Sequence, residues 1–241
     1  MALLWAGGCA SGPNGSDSLT VRPPTPTVVP SSGTPFHPSP SASPNTLLQF
    51  HVAINDSGQF ETFNQPLGYY VIAFNSFDQP IDVSNDDTFD NFVSWDGNNL
   101  FWYNRQTVPG NEQNFTFVPV AQLNENVSFS TDNHEMIVTF NINDPTSPLN
   151  VYIVTNQFTC HCMTTDHTGI LGRVIDAFGP GPDLGNNPLY TVTVDKTVGA
   201  ISPLPPNYPV DPLLDYITQP DLDPSFPYVD FDLSKFQVTA R

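Results

Sequence analysis

From Leu47 onward the chain alternates short β-type runs with clusters of Asn, Asp, Gly and Pro, and helical periodicity is nearly absent. This pattern restricts the fold severely, because a two-residue period gives a strand one buried face and one wet face. Phe50, Val52 and Ile54 alternate with Gln49, His51 and Asn55. Gly68 to Asn75 (GYYVIAFN) is apolar on both faces, as a central strand would be. Phe92 to Tyr103 reads as a hairpin, with Asp96-Gly97 and the following asparagines at its turn. Phe115–Val120, Val127–Ser130, Met136–Ile142, Val151–Thr155 and Tyr190–Val194 continue the series, and Phe231–Ala240 reads as a closing strand. Only Asp211–Ile217 has the look of a helical turn, with Pro212 at a favourable first position. The expected fold is all-β: an antiparallel β-sandwich, immunoglobulin-like or jelly-roll, formed by residues 47–241 as a single domain. The 18 Phe, 8 Tyr and 3 Trp supply apolar area for its core.

Residues 10–46 differ in kind. They hold nine prolines among Ser, Thr and Gly and almost no large apolar residues, so ordering them would cost more entropy than their burial returns. They are expected to form a disordered, partly polyproline-like tether, with a reach on the order of 100 Å when extended. Residues 201–228 carry eight prolines but also Leu204, Leu213, Leu214, Tyr216, Phe226 and Tyr228. Those side chains can pack, so an ordered, extended segment lying along the sandwich is expected there.

The chain has 24 acidic and 6 basic side chains, a net charge of −18. Residues 1–46 contribute one of each sign, Asp17 and Arg22, so the whole excess lies on residues 47–241. Such a surface repels nucleic acid and anionic headgroups, whose recognition depends on Lys and Arg. No stretch approaches the roughly 18–20 apolar residues of a membrane span.

Ahead of the tether stands Met1-Ala-Leu-Leu-Trp-Ala-Gly-Gly-Cys9: an apolar run, two small residues, then a cysteine. Ala6-Gly7-Gly8-Cys9 resembles the lipobox of bacterial lipoproteins, although Ala6 stands where Leu is usual. The resemblance covers the first dozen residues. It implies a lipid on Cys9, an extracytoplasmic place on a bacterial cell or outer membrane, and no activity. A cleaved secretory signal is the alternative. No Lys or Arg precedes Arg22, so the basic part of a signal is expected upstream of Met1.

The densest reactive cluster is Thr159-Cys160-His161-Cys162-Met163-Thr-Thr-Asp166-His167. On an extended chain Cys160 and Cys162 point to one side and His161 to the other. Three readings stay open: a Cys160–Cys162 disulfide, two free thiols, or a zinc or copper(I) site built from Cys160, Cys162 and His167. A disulfide between residues two apart on a strand needs a bend, since their Cα atoms lie near the upper limit of roughly 6.8 Å. The acidic loop Asp82, Asp86, Asp87, Asp90, with Asn85, offers oxygen ligands to calcium, as do the pairs Asp221/Asp223 and Asp230/Asp232. None follows the twelve-residue calcium-loop pattern. Gly179-Pro-Gly-Pro-Asp183 is a poor dinucleotide loop because Pro180 and Pro182 remove backbone donors. His134-Glu135 reads as an exposed polar pair opening a strand.

Trp95, Trp102 and Tyr103 flank the Asp96-Gly97 turn, where they would stack on sugar rings if exposed; alternation on a strand favours core. No catalytic motif is present, and no carboxylate pair stands out among so many acids. The sequence therefore points to a non-catalytic, lipid-anchored envelope protein, with an envelope protein or a glycan as partner and no cofactor. A metal-handling protein built on the thiol cluster and a secreted carboxylate-dependent hydrolase are the alternatives.

Overall fold

Among the described residues twelve antiparallel strands make one curled sheet, and the ends of that sheet face each other across a shared core. The computed structural model describes residues 45–55, 58–60, 67–77, 79–81, 88–166, 171–172, 174–178, 191–202 and 228–241. Cys9, residues 10–44 of the tether, and most of the proline-rich segment lie outside the described residues. The strands are β1 (Leu47–Ile54), β2 (Gly68–Asn75), β3 (Asn91–Trp95), β4 (Leu100–Val108), β5 (Asn111–Gln122), β6 (Val127–Phe129), β7 (Glu135–Asn141), β8 (Gln157–Asp166), β9 (Val174–Ala177), β10 (Val192–Asp195), β11 (Gly199–Ser202) and β12 (Leu233–Ala240). Among the described residues one short α-helix, α1 (Pro148–Tyr152), interrupts them.

Hydrogen bonding runs in the order β5-β4-β3-β2-β8-β10-β11-β12-β1-β7-β6, with β9 added beside β8. Strands far apart in this order nevertheless touch through their side chains. Trp102 on β4 meets Phe140 on β7 edge-on at 5.7 Å, and Phe50 on β1 meets Phe74 on β2 at 5.4 Å. Trp95 on β3 lies 5.4 Å from Phe129 on β6. These contacts require two facing layers, the packing of a sandwich. The fold expectation is met, with one continuous sheet supplying both layers.

The corner between the layers is thin. β11 joins β12 through a single pairing, Gly199 with Thr239. Gly199 has φ +92°, and a Cβ there would sit 2.9 Å from the Ala240 nitrogen, so both conformation and space call for glycine. Beyond the corner, β1 pairs along its length with both β12 and β7. Thr46 and Leu47 donate to the Arg241 carbonyl, which ties the two ends of the sheet-forming chain together.

The two-residue period decides which side chains enter the core. Leu48, Phe50, Val52 and Ile54 on β1, Tyr70, Ile72 and Phe74 on β2, and Phe158, Cys160 and Cys162 on β8 all face inward. Trp102 is fully buried, stacks on Phe74 at 5.2 Å and donates its Nε1 hydrogen to Asn91 Oδ1 at 3.1 Å. A second, smaller cluster forms on the opposite face of the front layer from Val71, Ala73, Ile81, Phe89, Phe92, Met163 and Ala177.

One expected strand is replaced. Val151–Thr155 was expected to be extended, but α1 takes Pro148–Tyr152 and the chain leaves it at Ile153. Pro148 at the head of the helix sets a helical φ and has no amide hydrogen to lose. Asn150 then fixes the preceding turn, donating its side-chain amide to the carbonyls of Ile142 and Asp144. The Asp211–Ile217 turn lies outside the described residues.

Candidate functional site

The thiol cluster is interior. Cys160 and Cys162 are free and fully buried, facing the core from the middle of β8. The pairing of β8 with β2 runs unbroken from Gly68–Asp166 to Asn75–Thr159, so no bulge draws the two sulfurs together. The disulfide reading is therefore corrected: a regular strand holds same-face neighbours too far apart. Burial pushes both thiols well above their ordinary pKa, and Cys162 and Asp176 add to the effect on Cys160 and Cys162 respectively. Thiols held neutral in an apolar core are poor ligands for a cation, because the thiolate is the ligating form. His161 faces the other side of the sheet, and His167 lies outside the described residues. In the native protein neither Cys160 nor Cys162 should react with an aromatic disulfide reagent, and both should react after unfolding in guanidinium. Rapid labelling of the folded chain would contradict this burial.

Of the proposed calcium loop, Asp82, Asp86 and Asp87 lie outside the described residues, and Asp90 serves the end of β2. Its Oδ1 accepts from the Ser76 amide at 3.2 Å, and its own amide donates to the Phe74 carbonyl. Asp230 accepts from the Gln59 amide at 2.9 Å, and Asp232 accepts from Asn55 at 3.0 Å. Asp221 and Asp223 are outside the described residues. Among the described residues no group of three or more His, Cys, Asp or Glu side chains is placed to hold a metal ion.

A polar row that sequence reading missed crosses the outer face of the back layer. His51 Nδ1 lies 3.2 Å from Glu135 Oε1, Thr239 Oγ1 lies 3.3 Å from His51 Nε2, and Lys235 Nζ lies 2.9 Å from the same Glu135 oxygen. Burial lowers the His51 pKa despite the neighbouring carboxylate, with Lys235 and Arg241 also opposing its charge. Burial pushes Glu135 upward, but Lys235 and His51 together bring it below its ordinary value. Carboxylate, imidazole and hydroxyl stand in the order of an acyl-transfer triad. However, β1 is paired along its length with both β7 and β12, so the amides beside His51 are committed to the ladder and offer no oxyanion donors. The row is a cross-strand clamp. Its members lie 84 and 188 residues apart in sequence, so only the sheet order reveals them.

The aromatic residues around the hairpin divide between two faces. Trp95 and Trp102 belong to the core, so neither can stack on a ligand. Tyr103 faces outward and is half-buried, stacked on Phe92 at 4.6 Å. Phe101 lies 6.3 Å from it, and Phe115 and Phe117 continue the strip on β5, meeting edge-on at 5.7 Å. Arg105 caps that end, its guanidinium 3.6 Å above the Phe115 ring. Tyr69 on β2 completes the other end. Burial raises the pKa of Tyr69, and Asp96 adds to it; burial, then Tyr69 and Asp96, raise that of Tyr103. Phe101, Tyr69 and the β5 phenylalanines were legible in principle, since an inward Trp102 forces its neighbours outward.

No family model, no curated protein and no solved structure matches this chain.

Proposed function

We propose that the chain is a non-catalytic, lipid-anchored envelope protein whose acidic β-sandwich is a binding module. The observation that carries the reading is the outward aromatic strip of Phe101, Tyr103, Phe115 and Phe117. These rings are half-buried on a face of β4 and β5 outside the main core; Tyr103 and Phe117 pack against the smaller cluster there, while Phe101 and Phe115 belong to neither cluster. Contiguous apolar surface of this kind, rimmed by polar residues, is typical of interaction sites. Lipid on Cys9 and the proline-rich tether of residues 10–46 supply the means of display, and the net charge of −18 keeps the module in solvent above an anionic membrane.

The anchor is tested in cells that make the protein. Replacing Cys9 by Ser should move the chain from the membrane fraction to the soluble fraction, with the folded domain unchanged. An unaltered membrane fraction would remove Cys9 as the anchor.

A further inference from the structure

Resting on the extracytoplasmic placement in the reading above, we infer that Asn114 is a site of N-linked glycosylation, displayed at the open end of the β4–β5 hairpin. The chain holds four Asn-x-Ser/Thr sequons, headed by Asn14, Asn55, Asn114 and Asn126. Such a sequon is the acceptor for a preassembled oligosaccharide, which needs its asparagine at the surface. Asn14 lies outside the described residues, and the structure separates the other three.

Asn55 and Asn126 are committed to the fold. Asn55 donates its side-chain amide to Asp232 Oδ2 at 3.0 Å, and Asn126 donates to the Thr139 carbonyl at 2.7 Å, both in part-buried settings. A sugar on either nitrogen would crowd the contact that nitrogen makes. Asn114 is exposed, and its side chain makes no hydrogen bond among the described residues. Thr116, which supplies the hydroxyl of the sequon, is exposed as well.

The backbone around Asn114 is open too. β4 and β5 turn at Pro109-Gly110, where a Cβ on Gly110 would meet nothing within 4 Å. Gln106, Thr107, Pro109 and Asn111 near that turn are exposed, so this end of the hairpin stands clear of the other described residues. Thr107 is opposite Phe115 while Val108 is opposite Asn111, which leaves residues 112–114 as a bulge without partners in the β4–β5 ladder. β5 is also the last strand in the hydrogen-bonding order, paired only with β4 among the described residues. A transferase can therefore reach the acceptor without opening a strand pair. A hydrated glycan here also covers the edge of β5, whose unpaired backbone groups otherwise face a neighbouring chain.

The sequence singles out the same residue. Glu112 precedes Asn114 by two positions, and none of the other three sequons has an acid there. An acid at that position is the feature that bacterial oligosaccharide transfer adds to the acceptor. In the transfer, Asn114 Nδ2 forms a bond to the anomeric carbon of the donor, a lipid-diphosphate-linked oligosaccharide. The bond from that carbon to the diphosphate oxygen breaks, the lipid diphosphate leaves with the electron pair, and a base of the transferase takes one Nδ2 proton.

The test is glycopeptide mass spectrometry of the full chain isolated from its own cells, with electron-transfer fragmentation to keep the sugar on its residue. The expected result is an oligosaccharide on Asn114 and none on Asn55 or Asn126. Asn114→Gln and Thr116→Ala should each lose the whole mass excess at this site, and Thr116→Ser, which keeps the hydroxyl, should retain it. All three changes are at exposed positions, so far-ultraviolet circular dichroism should be unchanged. A bare Asn114 in the parent chain, sugar on Asn55 or Asn126 in its place, or a mass excess that survives Asn114→Gln would each overturn the inference. The Cys9 peptide in the same digest reports separately on the anchor. Lipid on Cys9 with a bare Asn114 sinks the glycosylation site and leaves the anchored module standing. Glycan on Asn114 with an unmodified Cys9 does the reverse.

Discussion

Replacing Trp102 by Ala should destabilise the protein by about 3–5 kcal/mol, the cost of emptying a large, fully buried aromatic site. Trp102 touches both layers: it stacks on Phe74 at 5.2 Å within its own layer and meets Phe140 of the opposite layer at 5.7 Å. Tyr152, at the end of α1, stacks on it from a third direction at 6.2 Å. The indole also donates to Asn91, whose Oδ1 takes a second bond from Asn104 at 3.0 Å. Trp102→Phe should therefore cost much less, because Asn104 still satisfies that oxygen and a ring still fills most of the space. Urea unfolding followed by circular dichroism gives both values. Equal midpoints for the parent and the Ala variant would mean that the layers do not close over this residue.

Gly68→Ala, a change of one methyl group, should cost on the order of 1–3 kcal/mol. A Cβ at Gly68 would lie 2.5 Å from the Thr165 carbonyl oxygen and 2.7 Å from the Phe231 ring. The oxygen belongs to the backbone of β8, so it can move only if the β2–β8 pairing shifts. Phe231 is stacked on Tyr70 at 5.1 Å, and Tyr70 donates to the Asp230 carbonyl at 2.6 Å, so the ring has little freedom to yield. A drop in the urea midpoint with unchanged slope is the expected result. An Ala variant as stable as the parent would show that the approach of β2, β8 and the segment before β12 is looser than described.

Much of the fold was legible because the strand signal is local. Alternation in β1 and in Met136, Val138 and Phe140 correctly identified the inward faces, and the continuous apolar run of Gly68–Asn75 marked a central strand. The Asp96-Gly97 turn held for a local reason as well, since an Asp side chain can accept the amides that follow it. Partner choice between strands is another matter. Nothing near β1 in sequence indicates that it lies between β7 and β12, and the His51–Glu135–Thr239 row exists only through that choice. The thiol cluster left three readings open because its composition is reactive and its setting is not. Closely spaced Cys and His residues suggest ligands, but strand geometry sends both sulfurs into the core and burial keeps them protonated. The hairpin tryptophans followed the alternation that favoured core. Their chemistry fits a sugar, but alternation turned them inward and left Phe101 and Tyr103 outside.

Acids outside the proposed calcium loops have ordinary turn-building roles. Asp144 Oδ1 accepts from both the amide and the hydroxyl of Thr146, and Asp195 Oδ1 does the same with Thr197. Those bonds hold both carboxyls below their usual pKa. An acidic composition in a β protein can thus reflect the frequency of its turns as much as any ligand. Lys196 has a comparable structural role. Buried near the end of α1, it donates to the Ile153 carbonyl and to Asn150, a favourable place for a cation beside exposed helix carbonyls.

Display of this module by a lipid on Cys9 is a proposal that mass analysis tests directly. Intact-mass and N-terminal peptide analysis of the chain extracted from its own membrane is the measurement to make. The expected product begins at Cys9 and carries a diacylglycerol thioether. A mature chain that begins elsewhere, or one with an unmodified Cys9, would contradict the account.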